Sequence, residues 1–77
     1  MVDVLLFAEL QEKAGSEKLS IEADGVTVKE LKKQLLSTYD LDNINHAMIA
    51  VNEEYANEAT VLAKGDVVAF IPPVSGG

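Results

Sequence analysis

Val26-Thr27-Val28-Lys29-Glu30-Leu31-Lys32-Lys33-Gln34-Leu35-Leu36-Ser37-Thr38-Tyr39 carries the clearest helical period in this 77-residue chain. Thr27 and Glu30 form an S/T-x-x-E capping box, in which the hydroxyl accepts from the Glu30 amide and the Glu30 carboxylate reaches back. Val26 and Leu31 stand where a hydrophobic staple needs them. Val28, Leu31, Leu35 and Tyr39 recur at helical spacing and make one apolar stripe. Lys29, Lys32 and Lys33 are expected on the opposite, solvated side. One helix with one apolar stripe must cover one face of one sheet.

The rest of the chain supplies that sheet. Val2-Asp3-Val4-Leu5-Leu6-Phe7-Ala8 is apolar and β-prone, with Val2, Val4, Leu6 and Ala8 on one face and Leu5 and Phe7 on the other. Glu9 to Ala14 reads as a short helix ended by Gly15. Lys18-Leu19-Ser20-Ile21-Glu22 alternates, with Leu19 and Ile21 inward, so the first two strands make a hairpin with a long connection. Beyond the main helix, Asp40 to Asn45 reads as a turn and Ala47-Met48-Ile49-Ala50-Val51 as a buried strand. Asn52-Glu53-Glu54-Tyr55 reads as a turn and Val61-Leu62 as a brief edge segment. Lys64-Gly65-Asp66 turns the chain into a last strand, Val67-Val68-Ala69-Phe70-Ile71.

These elements predict an α+β domain with a sheet of four to five strands and one main helix on one face. The first and last strands are the most apolar and belong side by side at the centre. Their second faces are apolar too, through Leu5, Phe7 and either Val68 with Phe70 or their neighbours. A single helix cannot cover both faces, so the second is covered by loops and the short helix, or else awaits a partner.

A chain of this length forms one domain. Residues 1–71 are expected to fold and residues 72–77 to make an extended tail. Thirteen acidic residues against six lysines, with no arginine, give a net charge of −7. Phosphate-backbone binding needs clustered cations, so this surface argues strongly against a nucleic-acid binder. The acidity serves solubility and, secondarily, steering toward a basic partner. There is no cysteine, hence no disulfide and no thiolate metal site. Nothing reads as a signal peptide or membrane span, and the expected location is cytoplasmic. His46 has no companion metal ligand, Glu53-Glu54 reads as a solvated turn, and no catalytic constellation is present.

The chemistry concentrates in Pro72-Pro73-Val74-Ser75-Gly76-Gly77. Proline fixes φ and lacks a donor, so Pro72 and Pro73 end the last strand and start an extended arm. Gly76 and Gly77 present only backbone, which suits a channel too narrow for a Cβ. Six residues at full stretch reach about 20 Å. A terminal carboxylate on such an arm is a reactive handle once another enzyme activates it. The activated carbonyl of Gly77 takes a nitrogen nucleophile, as in protein tagging, or a sulfur nucleophile, giving a thiocarboxylate.

At this point the chain resembles a β-grasp, ubiquitin-like domain over its whole length. It is most similar to the small, sulfur-carrier subunits of molybdopterin synthase. The resemblance rests on Phe7-Ala8-Glu9, Ala50-Val51-Asn52-Glu53, Leu62-x-x-Gly65-Asp66-x-Val68-Ala69 and, above all, the Pro72-to-Gly77 tail. It implies a mixed sheet and a carrier that does not catalyse by itself. A ubiquitin-activating-like adenylyltransferase would use ATP to adenylate Gly77, which then becomes a C-terminal 1-thioglycine. The large synthase subunit would receive the tail, in an assembly of two small subunits on a large-subunit dimer, and cyclic pyranopterin monophosphate would take the sulfur. Pro72, Pro73, Val74, Ser75 and Gly76 would thread the tail, while Phe7, Phe70 and Ile71 would dock. No metal or resident cofactor is implied. A sulfur carrier for thiamine synthesis and a ubiquitin-like protein modifier are the alternatives.

Overall fold

The helix at the centre of the chain forms where its sequence requires. In the computed structural model, which describes residues 1–39, 41, 44 and 46–72, it spans Val28–Tyr39 (α2). The Glu30 amide donates to Thr27 Oγ1 at 3.3 Å, the hydroxyl half of the capping box. The next orphan donors are met by another segment: Val28 N–H donates to the Thr60 carbonyl at 3.0 Å and Lys29 N–H to the Glu58 carbonyl at 3.1 Å. Val28, Leu31 and Leu35 are buried, as their spacing predicts.

Lys32 departs from the expected solvated side. It is only 4% exposed, and its ammonium lies 3.1 Å from Glu58 Oε1. The reason is helical geometry: residue 32 stands four after Val28 and three before Leu35, at the edge of the apolar stripe. The segment that caps α2 lies over it and brings the matching carboxylate.

Around α2 the chain runs β1 (Val2–Leu6), α1 (Glu9–Ala14), β2 (Lys18–Ile21), α2, β3 (Met48–Val51), β4 (Glu54–Tyr55) and β5 (Val67–Ile71). The strand order is β2-β1-β5-β3-β4. β1 and β5 run parallel at the centre, pairing Val4 with Val68 and Leu6 with Phe70, while the other pairings are antiparallel. This is the mixed five-stranded sheet of a β-grasp fold. Val61 contributes only an isolated bridge to Thr27. No helix among the described residues is long and apolar enough to cross a membrane.

The core lies between α2 and one sheet face. Val2, Val4, Leu6, Val68 and Phe70 are fully or almost fully buried there, with Leu10 of α1 and with Leu41 and Ile44 beyond α2. Gly15 ends α1 at φ 76°, and its N–H donates to the Gln11 carbonyl. That left-handed cap is the conformation for which glycine carries no Cβ penalty.

Candidate functional site: the open sheet face and the strand that leads to the tail

Alternation along each strand places a second set of apolar side chains on the face away from α2. Register aligns them. Leu5 sits beside Ala69, Ala69 beside Ala50, and Ala50 beside Tyr55, making one row across four strands. Met48 sits beside Ile71 in the next row. Phe7 follows β1 and joins the same shallow concavity as Leu5, Ala69 and Ile71. Phe7 is 43% exposed, Met48 46% and Tyr55 79%. Loops and α1 therefore leave this face open. Toward β2 it turns polar, where Lys18 Nζ lies 3.5 Å from Asp3 Oδ2 and Ser20 Oγ donates to Asp3 Oδ1.

Two sharp turns frame the face. Ala8, at φ 51° and ψ −127°, turns the chain from Phe7 into α1, with Leu10 N–H donating to the Phe7 carbonyl at 3.1 Å. That backbone region is costly for a residue with a Cβ, and the strain sits directly after the exposed aromatic. On the other side, Asn52 (φ 52°) and Glu53 (φ 70°) make the two-residue hairpin turn between β3 and β4. Both central residues at positive φ are the mark of a type I′ turn. The Asn52 side chain fixes it: Oδ1 accepts from Val67 N–H at 3.0 Å and Nδ2 donates to Asp66 Oδ1 at 3.0 Å. Asp66 Oδ2 also accepts from Ala63 N–H at 2.8 Å. The Asn52 hydrogen bond first, and the Ala63 amide second, hold the Asp66 carboxyl below the ordinary aspartate value.

Of the docking residues expected from sequence, the structure brings together Phe7 and Ile71 and separates Phe70. Phe70 is 0% exposed and packs in the core under α2. Period-2 alternation puts it opposite Ile71, so the open face receives Val67, Ala69 and Ile71 from β5, and Phe70 is corrected from a docking to a core residue. Pro72, the first residue assigned to the tail, is buried. Pro73, Val74, Ser75, Gly76 and Gly77 lie outside the described residues. Sequence reasoning missed Met48, Ala50 and Tyr55. Met48–Val51 is apolar throughout and gave no phase to its alternation, so the first two were not separable from Ile49 and Val51 by pattern. Tyr55 was hidden because β4 is only two residues long. Among the described residues no His, Cys, Asp and Glu group is placed to hold a metal ion.

Residues 4–77 match the ThiS family. The molybdopterin synthase sulfur carrier subunit of Escherichia coli is 34% identical over 82 residues, covering all of both chains. A solved complex of subunits 1 and 2 of the molybdopterin-converting factor from Helicobacter pylori contains a chain 32% identical to this one, with a TM-score of 0.72 and coverage of 99% of this chain and 97% of that one. The small archaeal modifier protein 1 of Methanosarcina acetivorans superposes with a TM-score of 0.83 at 25% identity, covering 99% and 95%. With the family match running from residue 4 to residue 77 and a relative 34% identical over the whole of both chains, the chain belongs to the ThiS family.

Proposed function

We propose that this protein is the sulfur-carrier subunit of a molybdopterin synthase, with Gly77 as the reacting residue. In this reading an adenylyltransferase joins the Gly77 carboxylate to AMP at the expense of ATP. A sulfur nucleophile then displaces AMP and leaves a thiocarboxylate. Residues 73–76 carry that group into the large subunit, where its sulfur bonds to cyclic pyranopterin monophosphate and water cleaves the acyl–sulfur bond, leaving sulfur on the substrate and returning the Gly77 carboxylate. The transferred sulfur builds a dithiolene, which holds two sulfurs, so two charged carriers serve each product. Two carriers on a large-subunit dimer fit that need. The groups that catalyse transfer belong to the partners.

The observation that carries this reading is the end-to-end similarity to the Escherichia coli sulfur carrier subunit. The open apolar face next to β5 supports it, because the strand that feeds the tail is also part of the surface available for docking. The test is intact mass after incubation with the activating enzyme, ATP and a sulfur donor. A species heavier by one sulfur-for-oxygen exchange at Gly77 is expected. Its absence, or product formation by a chain lacking Gly76 and Gly77, rejects the mechanism.

A second reading as a protein modifier is favoured by the likeness to small archaeal modifier protein 1. It predicts isopeptide-linked conjugates of Gly77 in cell lysate, which a dedicated sulfur carrier does not form.

A further inference from the structure

Glu53 occupies a position that folding alone does not explain. It is the second central residue of the β3–β4 turn at φ 70°, where a type I′ hairpin favours glycine after asparagine. Asn52 fits its own position and is tied on both sides by hydrogen bonds. The Glu53 carboxylate has no hydrogen bond or ion pair among the described residues, and it lines the same concavity as Phe7, Tyr55 and Ile71. An acidic side chain thus stands at a strained turn, at the rim of an apolar face, with no partner among the described residues.

We propose that Glu53 is a specificity-determining contact of the open sheet face, which takes a partner presenting an apolar patch with a lysine or arginine opposite Glu53. The inference rests on the reading of this face as the docking surface for a large synthase subunit. Burying a carboxylate in an apolar contact without a counter-ion is strongly unfavourable, so a partner that covers this rim must supply a cation. The net charge of −7 selects the same chemistry. It also disfavours a second copy as occupant, because two chains of the same −7 charge, each with a Glu53 at the rim, repel. Charge at a rim acts mainly on encounter rate and on the choice among partners.

The test is binding of the full chain to the large synthase subunit of its own organism, by calorimetry and stopped flow at about 50 mM and at about 500 mM salt, bracketing strong and weak screening. Glu53→Gln keeps the turn strain and removes the charge. Glu53→Gly removes the charge and relieves the strain. The expected result at low salt is a roughly 5- to 10-fold affinity loss in both variants, the scale of one exposed-to-half-buried charge contact. Most of that loss disappears at high salt, and Glu53→Lys weakens binding further. Glu53→Gly is expected to melt at higher temperature than the wild type while binding more weakly, a split that a purely structural turn residue does not give. If both variants bind as tightly as the wild type at both salt concentrations, the assignment of Glu53 is overturned and the docking surface stands. If the wild type itself fails to bind the large subunit, the proposed function falls, and this inference with it.

Discussion

Both faces of this sheet carry apolar side chains from β1 and β5, yet they have opposite fates. Toward α2 stand Val2, Val4, Leu6, Val68 and Phe70, none more than 1% exposed. Away from α2 stand Leu5, Phe7, Ala50, Val67, Ala69 and Ile71, which line an open concavity. Hydrophobicity does not distinguish them. The difference is the supply of covering elements: α2 has one apolar stripe, and α1 adds Leu10, with Ala14 partly buried against it, to the same core. A face that is built apolar and then left without a helix is a surface with a use outside its own chain.

The largest test of this contrast is on the covered side. Phe70→Ala is expected to cost about 3–5 kcal/mol, because truncating a fully buried aromatic loses its transfer energy and leaves a cavity. A domain of this size has only about 4–11 kcal/mol in total, so urea denaturation should show the midpoint falling steeply or the fold lost. A loss under about 1 kcal/mol would mean that Phe70 is not in the core.

The open side predicts the reverse. Phe7→Ala removes a side chain that is 43% exposed, so stability should change by less than about 1 kcal/mol. Affinity for the large subunit should nevertheless fall by about 2 kcal/mol, the scale of an aromatic anchor at an interface and close to a 30-fold change. Calorimetric binding and thermal melting on the same sample separate the two effects. Equal binding by the variant and the wild type would remove Phe7 from the docking surface.

This contrast also marks what was legible in the sequence. The hydroxyl cap and the apolar stripe of α2 were readable because they are local, set by residues three or four apart. The central pairing of β1 with β5 followed from their apolar content. Which half of β5 faced the helix was not legible, because Val67, Val68, Ala69, Phe70 and Ile71 are all apolar and give no phase to the alternation. Only the pairing of Leu6 with Phe70 and of Leu5 with Ala69 sets it. Lys32 was misplaced for a related reason: its burial depends on a segment more than twenty residues away that brings Glu58. Glu54 and Tyr55 looked like turn because a two-residue strand has no periodicity to detect. The tail motif, by contrast, depends on residue identity and needed no register.

The smallest expected effect concerns the turn that holds β3 and β5 in that register, and it is confined to acid. The Asn52 carboxamide, and then the Ala63 amide, stabilise the ionised form of Asp66 and lower its pKa below 3.8 in the folded chain. For a carboxyl whose folded pKa is depressed, the stabilisation is fully present above the unfolded value and is lost as pH falls through the folded value. At neutral pH, titration of this group should leave stability flat. Below about pH 4, near the ordinary aspartate range, the wild type should lose stability with a component that Asp66→Asn lacks, since the amide cannot titrate. Urea midpoints measured from pH 6 to pH 2 for both proteins check this. If the two curves keep a constant offset through the acid range, Asp66 does not link protonation to the turn. The register of the open face must then be held without that linkage, by the Val67–Asn52 hydrogen bonds and the β3–β5 ladder from Met48–Ile71 to Val51–Val68.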